Sequence, residues 1–149
     1  MQNALTLEPY RPDLADELVA MWRASFEHGV GVAHLHTLDE QRRWFDEHLS
    51  VETDVHVALH DGHLVGFSAT TPESVAQLYV RVGHHGQGIG TRLLELAKQG
   101  SSGSLWLYAF TRNANACRFY ERRGFHLVAH GFEPEWRLED VKYLWTRPA

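Results

Sequence analysis

Cysteine is nearly absent from this chain: Cys117 is the only one in 149 residues. That excludes an internal disulfide and fits a reducing compartment. No apolar run approaches the roughly 20 residues that a bilayer-spanning helix needs. The opening MQNALTLEPYRPD has no basic stretch followed by an apolar one, so it does not read as a secretion signal. No membrane association and a cytoplasmic location are the expectations. Positive charge is scarce too, with 14 Lys and Arg against 19 Asp and Glu and a net charge of −5. That balance argues against a general nucleic-acid binder and leaves room for a local basic pocket. No repeat, low-complexity tract or linker interrupts the chain, so residues 1–149 read as one domain large enough for a hydrophobic core.

What is present is an ordinary globular composition, 44% hydrophobic and 22% charged. Histidine stands out at 11 residues, so metal spacings need testing. The candidates are His34 with His36, His56 with His60 and His63, and the pair His84–His85. The second group straddles an Asp-Gly turn, and neither HExxH nor a Cys/His cluster occurs. These read as surface or pocket histidines, with no metal expected.

Periodicity orders the chain as βααβββαβαββ. ALTLEPY alternates as a first strand, and a helix follows from Asp13 to about Phe26 with Leu14, Leu18, Met21, Trp22 and Phe26 on one face. The glycines of EHGVGVAHLH mark a loop. TLDEQRRWFDEHL then carries Thr37 as N-cap and Glu40 as its capping-box partner. In TDVHVALHDGHLVGFSATTP, two alternating runs flank Asp61–Gly62 as a β-hairpin. The fourth strand spans Ser74–Val82, and a helix covers Thr91–Lys98 until Gly100 ends it. SLWLYAF is apolar almost throughout, the pattern of a strand covered on both faces. NANACRFYERRG is a short helix, and FHLVAHGF and EDVKYLWTR are the last strands. The expected fold is α/β (α+β), with about seven strands and about four helices.

The chemistry-bearing stretch is VGHHGQGIGTRLLELAK. A strand, a glycine-rich turn and a helix start together aim unpaired backbone N–H groups at one point, where the helix macrodipole adds partial positive charge. Glycine removes the Cβ that would hold a phosphate away and permits positive φ. The spacing here is G-Q-G-I-G, not the G-x-G-x-x-G of dinucleotide sites, and there is no Gly-Lys-Ser/Thr of a P-loop. A Rossmann-type nucleotide binder is therefore disfavoured.

LYVRVGHHGQGIGTRLLELA resembles motif A of the GNAT superfamily of acyl-CoA-dependent N-acetyltransferases, whose core is Gln/Arg-x-x-Gly-x-Gly/Ala at a strand-to-helix turn. NANACRFYERRGF resembles motif B, with Asn113, Ala116, Tyr120, Gly124 and Phe125 in register, and EDVKYLW resembles the final strand of small members. The resemblance in element order covers essentially the whole chain. It implies a mixed, mostly antiparallel sheet splayed between the fourth and fifth strands. It also implies an enzyme that moves acetyl from acetyl-CoA, a co-substrate, to a primary amine of a small molecule or peptide. His85 departs from the usual Gln/Arg, and a neutral imidazole adds less phosphate affinity than arginine.

Carried onto this sequence, the resemblance implies that Val80 and Val82 hold the pantetheine arm by backbone hydrogen bonds. His85, Gly86, Gln87, Gly88, Ile89, Gly90 and Thr91 would surround the pyrophosphate, Asn113 and Ala116 would flank the arm, and Tyr120 would be the general acid that protonates the departing thiolate. Arg118, Arg122 and Arg123 read as a solvated face, or one of them could reach the 3′-phosphate of coenzyme A, and Cys117 reads as packing. Acceptor-site candidates are Phe26, His34 and Tyr108, with Trp22, although Trp22 and Phe26 also fit a core. Many relatives use a glutamate on the fourth strand as base, where this chain has Gln77, which cannot serve. Glu73, His28, His34, His36, Glu139, Asp140 and ordered water remain open. A non-catalytic acyl-CoA-binding or sensing module is the alternative function. Relatives are often dimers, which leaves a homodimer open.

Overall fold

The computed structural model describes residues 4–149. In chain order the elements are β1 (Leu5–Pro9), a 3-10 turn (Pro12–Leu14), α1 (Ala15–Val30), α2 (Leu38–Trp44), a π-helical segment (Phe45–Leu49), α3 (Ser50–Glu52), β2 (Asp54–His60), β3 (His63–Thr70), β4 (Val75–Val80), α4 (Ile89–Gln99), β5 (Ser104–Phe110), α5 (Ala114–Glu121), β6 (His126–Glu133) and β7 (Leu138–Thr146). α2, the π segment and α3 run on as one rod, so the described residues carry four helical rods and seven strands.

Local signals explain most boundaries. The β2–β3 turn has positive φ at both Asp61 (50°) and Gly62 (83°), the type I′ geometry whose twist matches a two-residue hairpin. α2 opens on a complete capping box: the Thr37 hydroxyl accepts from the Glu40 amide at 3.1 Å, and the Glu40 carboxylate accepts from the Thr37 amide at 2.7 Å. α1 runs four residues beyond the expected Phe26 and stops at Gly31, whose φ is 79°. Its last carbonyls are satisfied from a distance, since Arg112 Nε donates to Val30 O at 3.1 Å. Tertiary capping therefore carries the helix through Gly29, which the loop-like composition of the stretch conceals.

β1 to β4 form one antiparallel sheet in the order β1-β2-β3-β4, and β5 to β7 a second in the order β5-β7-β6. Both are antiparallel throughout. Leu18, Trp22, Phe45 and Leu49 of the first two helical rods pack on Val57 and Phe67 of the first sheet. α4 packs on the opposite face through Ile89 and Leu93, against Ala58, Val65 and Val80. Its other buried residues, Leu94 and Ala97, join Tyr120 of α5 and Leu105, Leu107, Val141 and Tyr143 of the second sheet. α4 thus bonds the two sheets together; full burial of Leu93 and Leu94, both 0% exposed, contributes about 1.5–3 kcal/mol each.

α1 and α2 cover only the first sheet. The matching face of the second is left without a helix, so β5 is not covered on both sides as its apolar sequence suggests. Leu105 and Leu107 are buried, whereas Trp106 is 39% and Tyr108 58% exposed. That uncovered face becomes a wall of the site.

Candidate active site

Among the described residues, backbone pairing beside β4 and β5 is confined to a parallel bridge between Ser74, just before β4, and Trp106, with the Trp106 amide donating to Glu73 O at 3.0 Å. Beyond it they part. On the other side of β4, Arg81 N donates to Val65 O at 2.8 Å while Gly66 faces Val80 and Ser68 faces Leu78. In that register the N–H and C=O of Leu78 and Val80 point away from β3, into the gap. The Val80 carbonyl accepts from the buried Ser25 hydroxyl of α1 at 3.0 Å, which pins β4 to α1 and leaves the edge N–H groups open. β4 ends at Val80, so Val82, 41% exposed, lies beyond the strand expected to contain it.

At the end of β4 the chain turns through Gly83, Gly86 and Gly88, with φ of 92°, 80° and 82°, and open space where a Cβ would stand on each. No backbone amide from His85 to Thr91 finds an acceptor among the described residues. This is a concave row of donors at the positive end of an 11-residue helix. α4 begins at Ile89, two residues before the expected start, so Gly90 belongs to its first turn. A Cβ there would stand 3.2 Å from Phe119 Cε1 and Cζ: this glycine admits α5 to close range. Arg123 is no solvated side chain. It donates to Thr91 Oγ1 through Nε (3.0 Å) and Nη2 (2.7 Å), and its guanidinium lies 4.0 Å from the Phe119 ring centroid. Burial, with His28 and His84 nearby, holds His85 below the usual imidazole range, so it lends the loop no charge at pH 7.

The gap opens into a cavity of about 740 Å³ bounded by α1, β4, β5, the start of α5 and the β6–β7 hairpin. Trp22, Phe26, His34, Tyr108, Asn113, Ala116 and Tyr120 all line it, whereas residues 85–91 lie outside it, at the start of α4. Asn113 is the N-cap of α5: its Oδ1 accepts from Ala116 N at 3.2 Å, which leaves the carboxamide N–H₂ for another partner. Its Nδ2 would meet a Cβ on Gly29 at 2.9 Å, so a bare α1 backbone gives the amide its room. Phe26 meets Trp136 of the hairpin tip at 4.6 Å and Phe110 at 6.1 Å between ring centroids.

Three phenols line the cavity, the exposed Tyr108 and the more enclosed Tyr79 and Tyr120. Burial pushes Tyr79 and Tyr120 well above the usual tyrosine range, so both stay protonated at neutral pH. Neither hydroxyl is hydrogen-bonded among the described residues. Of the base candidates, only His34 and Asp140 line the cavity. His34 Nδ1 accepts from the His36 amide at 3.1 Å, which puts the neutral ring's proton on Nε2 and leaves no free lone pair. Burial and the Arg23 charge hold it below the usual range. Burial and the Glu133 carboxylate raise Asp140 above the ordinary carboxylate range. Among the described residues, no group of three or more His, Cys, Asp or Glu is arranged to hold a metal ion.

The family model for the acetyltransferase (GNAT) domain matches residues 51–127, half of the chain and both sides of the gap. The chain belongs to the GNAT acetyltransferase family.

Solved structures agree in fold. Apo YjaB of Escherichia coli is 19% identical with a TM-score of 0.80, over 97% of this chain and 99% of that one. The PaiA N-acetyltransferase of Thermoplasma acidophilum, solved with coenzyme A, is 16% identical with a TM-score of 0.75, over 96% and 99%. YncA of Salmonella typhimurium, a putative acetyltransferase solved with acetyl-CoA, is 16% identical with a TM-score of 0.73, over 98% and 95%. No curated protein matches the sequence. The mixed, mostly antiparallel GNAT sheet with its opening between β4 and β5 is the fold observed here. Tyr79, Phe110, Glu133, Trp136 and Lys142 also line the cavity, and sequence reasoning missed them. Tyr79 had a signal, since it shares a strand face with Gln77 two residues before; Trp136, at a turn, had none.

Proposed function

We propose that this chain is a single acetyltransferase domain over residues 1–149, which moves the acetyl group of acetyl-CoA to a primary amine, with Tyr120 as general acid. The observation that carries the reading is the gap: a β4 edge with open N–H groups runs from a loop of unpaired amides to a cavity holding a buried, protonated phenol. The donor set fits the co-substrate. The amides of residues 85–91 suit a pyrophosphate, the Leu78 and Val80 edge suits an amide-bearing arm, and the free Asn113 N–H₂ suits a carbonyl on that arm. Val82 lies past the end of β4, and its N–H, which has no acceptor among the described residues, also suits that arm. Acetyl-CoA supplies an acetyl group already activated as a thioester.

The residues then do three things. The loop and β4 edge hold and orient the thioester, which makes attack effectively unimolecular. The aromatic walls exclude water. Tyr120 gives its proton to the departing sulfur; a phenol held neutral by burial is a donor across the physiological range. Coenzyme A and acetyl-CoA bound to the relatives from Thermoplasma and Salmonella support the same ligand class.

The test has two arms. Acetyl-CoA raises the melting temperature while NAD and ATP do not; no shift with acetyl-CoA would overturn the reading. Thiol release on an amine panel then falls about 10²–10⁴-fold in Tyr120→Phe, with acetyl-CoA binding kept. Near-equal turnover would remove Tyr120 as the acid and leave Tyr79 and Tyr108 as the other phenols in the cavity.

A further inference from the structure

The end of the cavity formed by β6 and β7 is chemically distinct. Asp140 of β7 sits between Phe110 of β5 and Gly131 of β6 in the second sheet. A Cβ on Gly131 would stand 2.7 Å from Asp140 Oδ1, so the carboxylate lies flat against β6 only because residue 131 is glycine. Among the described residues no side chain donates to it. The cation that could neutralise it turns elsewhere: Lys142 is two residues along the same strand face, but its Nζ lies over Trp106 (5.1 Å) and Tyr108 (5.7 Å). The other carboxylate in the cavity, Glu133, is occupied in folding the hairpin tip, with Oε2 accepting from the Trp136 amide at 2.6 Å. Asp140 and Glu133 thus present two half-buried carboxylates to the cavity, with Lys142 held over the aromatic rings of β5, and an entering cation is favoured there.

We propose that Asp140 receives the acceptor, binding its ammonium group and taking the proton that stands in the way of attack. This rests on the acetyl-transfer reading above. The body that carries the ammonium lies against Phe26, Phe110 and Trp136, which favours an amine on a short apolar or aromatic frame. The balance is simple. R–NH₃⁺ gives one proton to the Asp140 carboxylate, which returns it to water. The freed lone pair forms the N–C bond to the acetyl carbon as the C–S bond breaks, and the second N–H proton replaces the one that Tyr120 delivered to sulfur. The products are the acetamide, coenzyme A and one released proton. An alkylammonium ionises near pH 10, so at pH 7 almost none is a free nucleophile without a base. Burial and Glu133 raise Asp140 toward neutrality, which brings its proton affinity closer to that of the amine.

The probe is benzylamine, and the variants are Asp140→Asn and Gly131→Ala. Asp140→Asn keeps the shape and is expected to lower kcat/KM about 100-fold or more, to weaken benzylamine binding to the coenzyme A complex at least tenfold by calorimetry, and to leave the Kd for acetyl-CoA within twofold. The acid limb of the wild-type kcat/KM profile disappears with it. The other titratable and charged groups at this end are His130 and Glu133 on β6, Tyr108 on β5, Lys142 and Glu139 on β7, and His34 on the loop after α1; a limb that persists in Asp140→Asn belongs to one of them and refutes the assignment. Gly131→Ala displaces the carboxylate and reproduces the loss with acetyl-CoA binding intact. Turnover in Asp140→Asn within threefold of wild type overturns the role of Asp140 alone. A wild type that binds acetyl-CoA but does not turn over benzylamine overturns the apolar-ammonium class. A wild type that acetyl-CoA does not stabilise overturns the acetyl-transfer reading, and this one with it.

Discussion

Gly90→Ala sets two effects of opposite sign against each other. Within a helix, alanine is favoured over glycine by about 1 kcal/mol, and residue 90 is in the first turn of α4. Against this, the new methyl would stand 3.2 Å from the edge of the Phe119 ring and 3.5 Å from Val80 Cγ2. The ring cannot simply retreat. Arg123 covers it at 4.0 Å, donates to the Phe119 carbonyl at 3.0 Å, and is itself held on Thr91. Overpacking of this kind costs about 1–3 kcal/mol, so the net expectation is a loss of about 1 kcal/mol. For a chain of this length that lowers the melting temperature by about 3 °C. The assay is thermal unfolding by circular dichroism, with urea midpoints at unchanged slope as the check on two-state behaviour. In a Phe119→Leu background the same change is expected to become stabilising, because the edge it strikes is gone. A Gly90→Ala protein that melts about 3 °C higher than wild type would refute the argument: helix propensity would then be unopposed, and the close approach of α5 to α4 no constraint.

Two further outcomes concern Ser25 and the histidines. Ser25→Ala removes the donor to the Val80 carbonyl and is expected to cost about 1–2 kcal/mol in urea unfolding; a neutral result means that water satisfies that carbonyl at the open edge. His34 and His85 ionise below the ordinary imidazole range in the fold, so the unfolded chain takes up more protons below the ordinary imidazole value of about 6.5. Stability is therefore full above that pH and falls as the pH drops through the folded values. Melting temperatures between pH 7.5 and 5.5 should decline, less steeply in His34→Gln and His85→Gln; equal slopes would count against these two rings as the cause.

The sequence by itself determined what depends on neighbours in the chain. The Thr37–Glu40 capping box, the Asp61–Gly62 hairpin, the order of strands and helices, and the glycine turn before α4 are short-range matters of capping, positive φ and periodicity. The two spaced motifs added the family and the division of the sheet between β4 and β5. What only the tertiary structure decided is where distant segments cover one another. Trp106 and Tyr108 sit in an apolar run, yet are exposed, and Tyr108 lines the cavity, because the first two helical rods end over the first sheet. Gly29 and Gly90 read as loop residues, yet lie in helices, where Asn113 and Phe119, remote in sequence, occupy the space that a Cβ would need. Asp140 was one carboxylate among several candidates until β6 and β7 paired, and Gly131 let it lie bare at the end of the cavity while Lys142 turned to the aromatic rings. Burial and charge pairing are properties of the packed surface, and no local pattern in the chain encodes them.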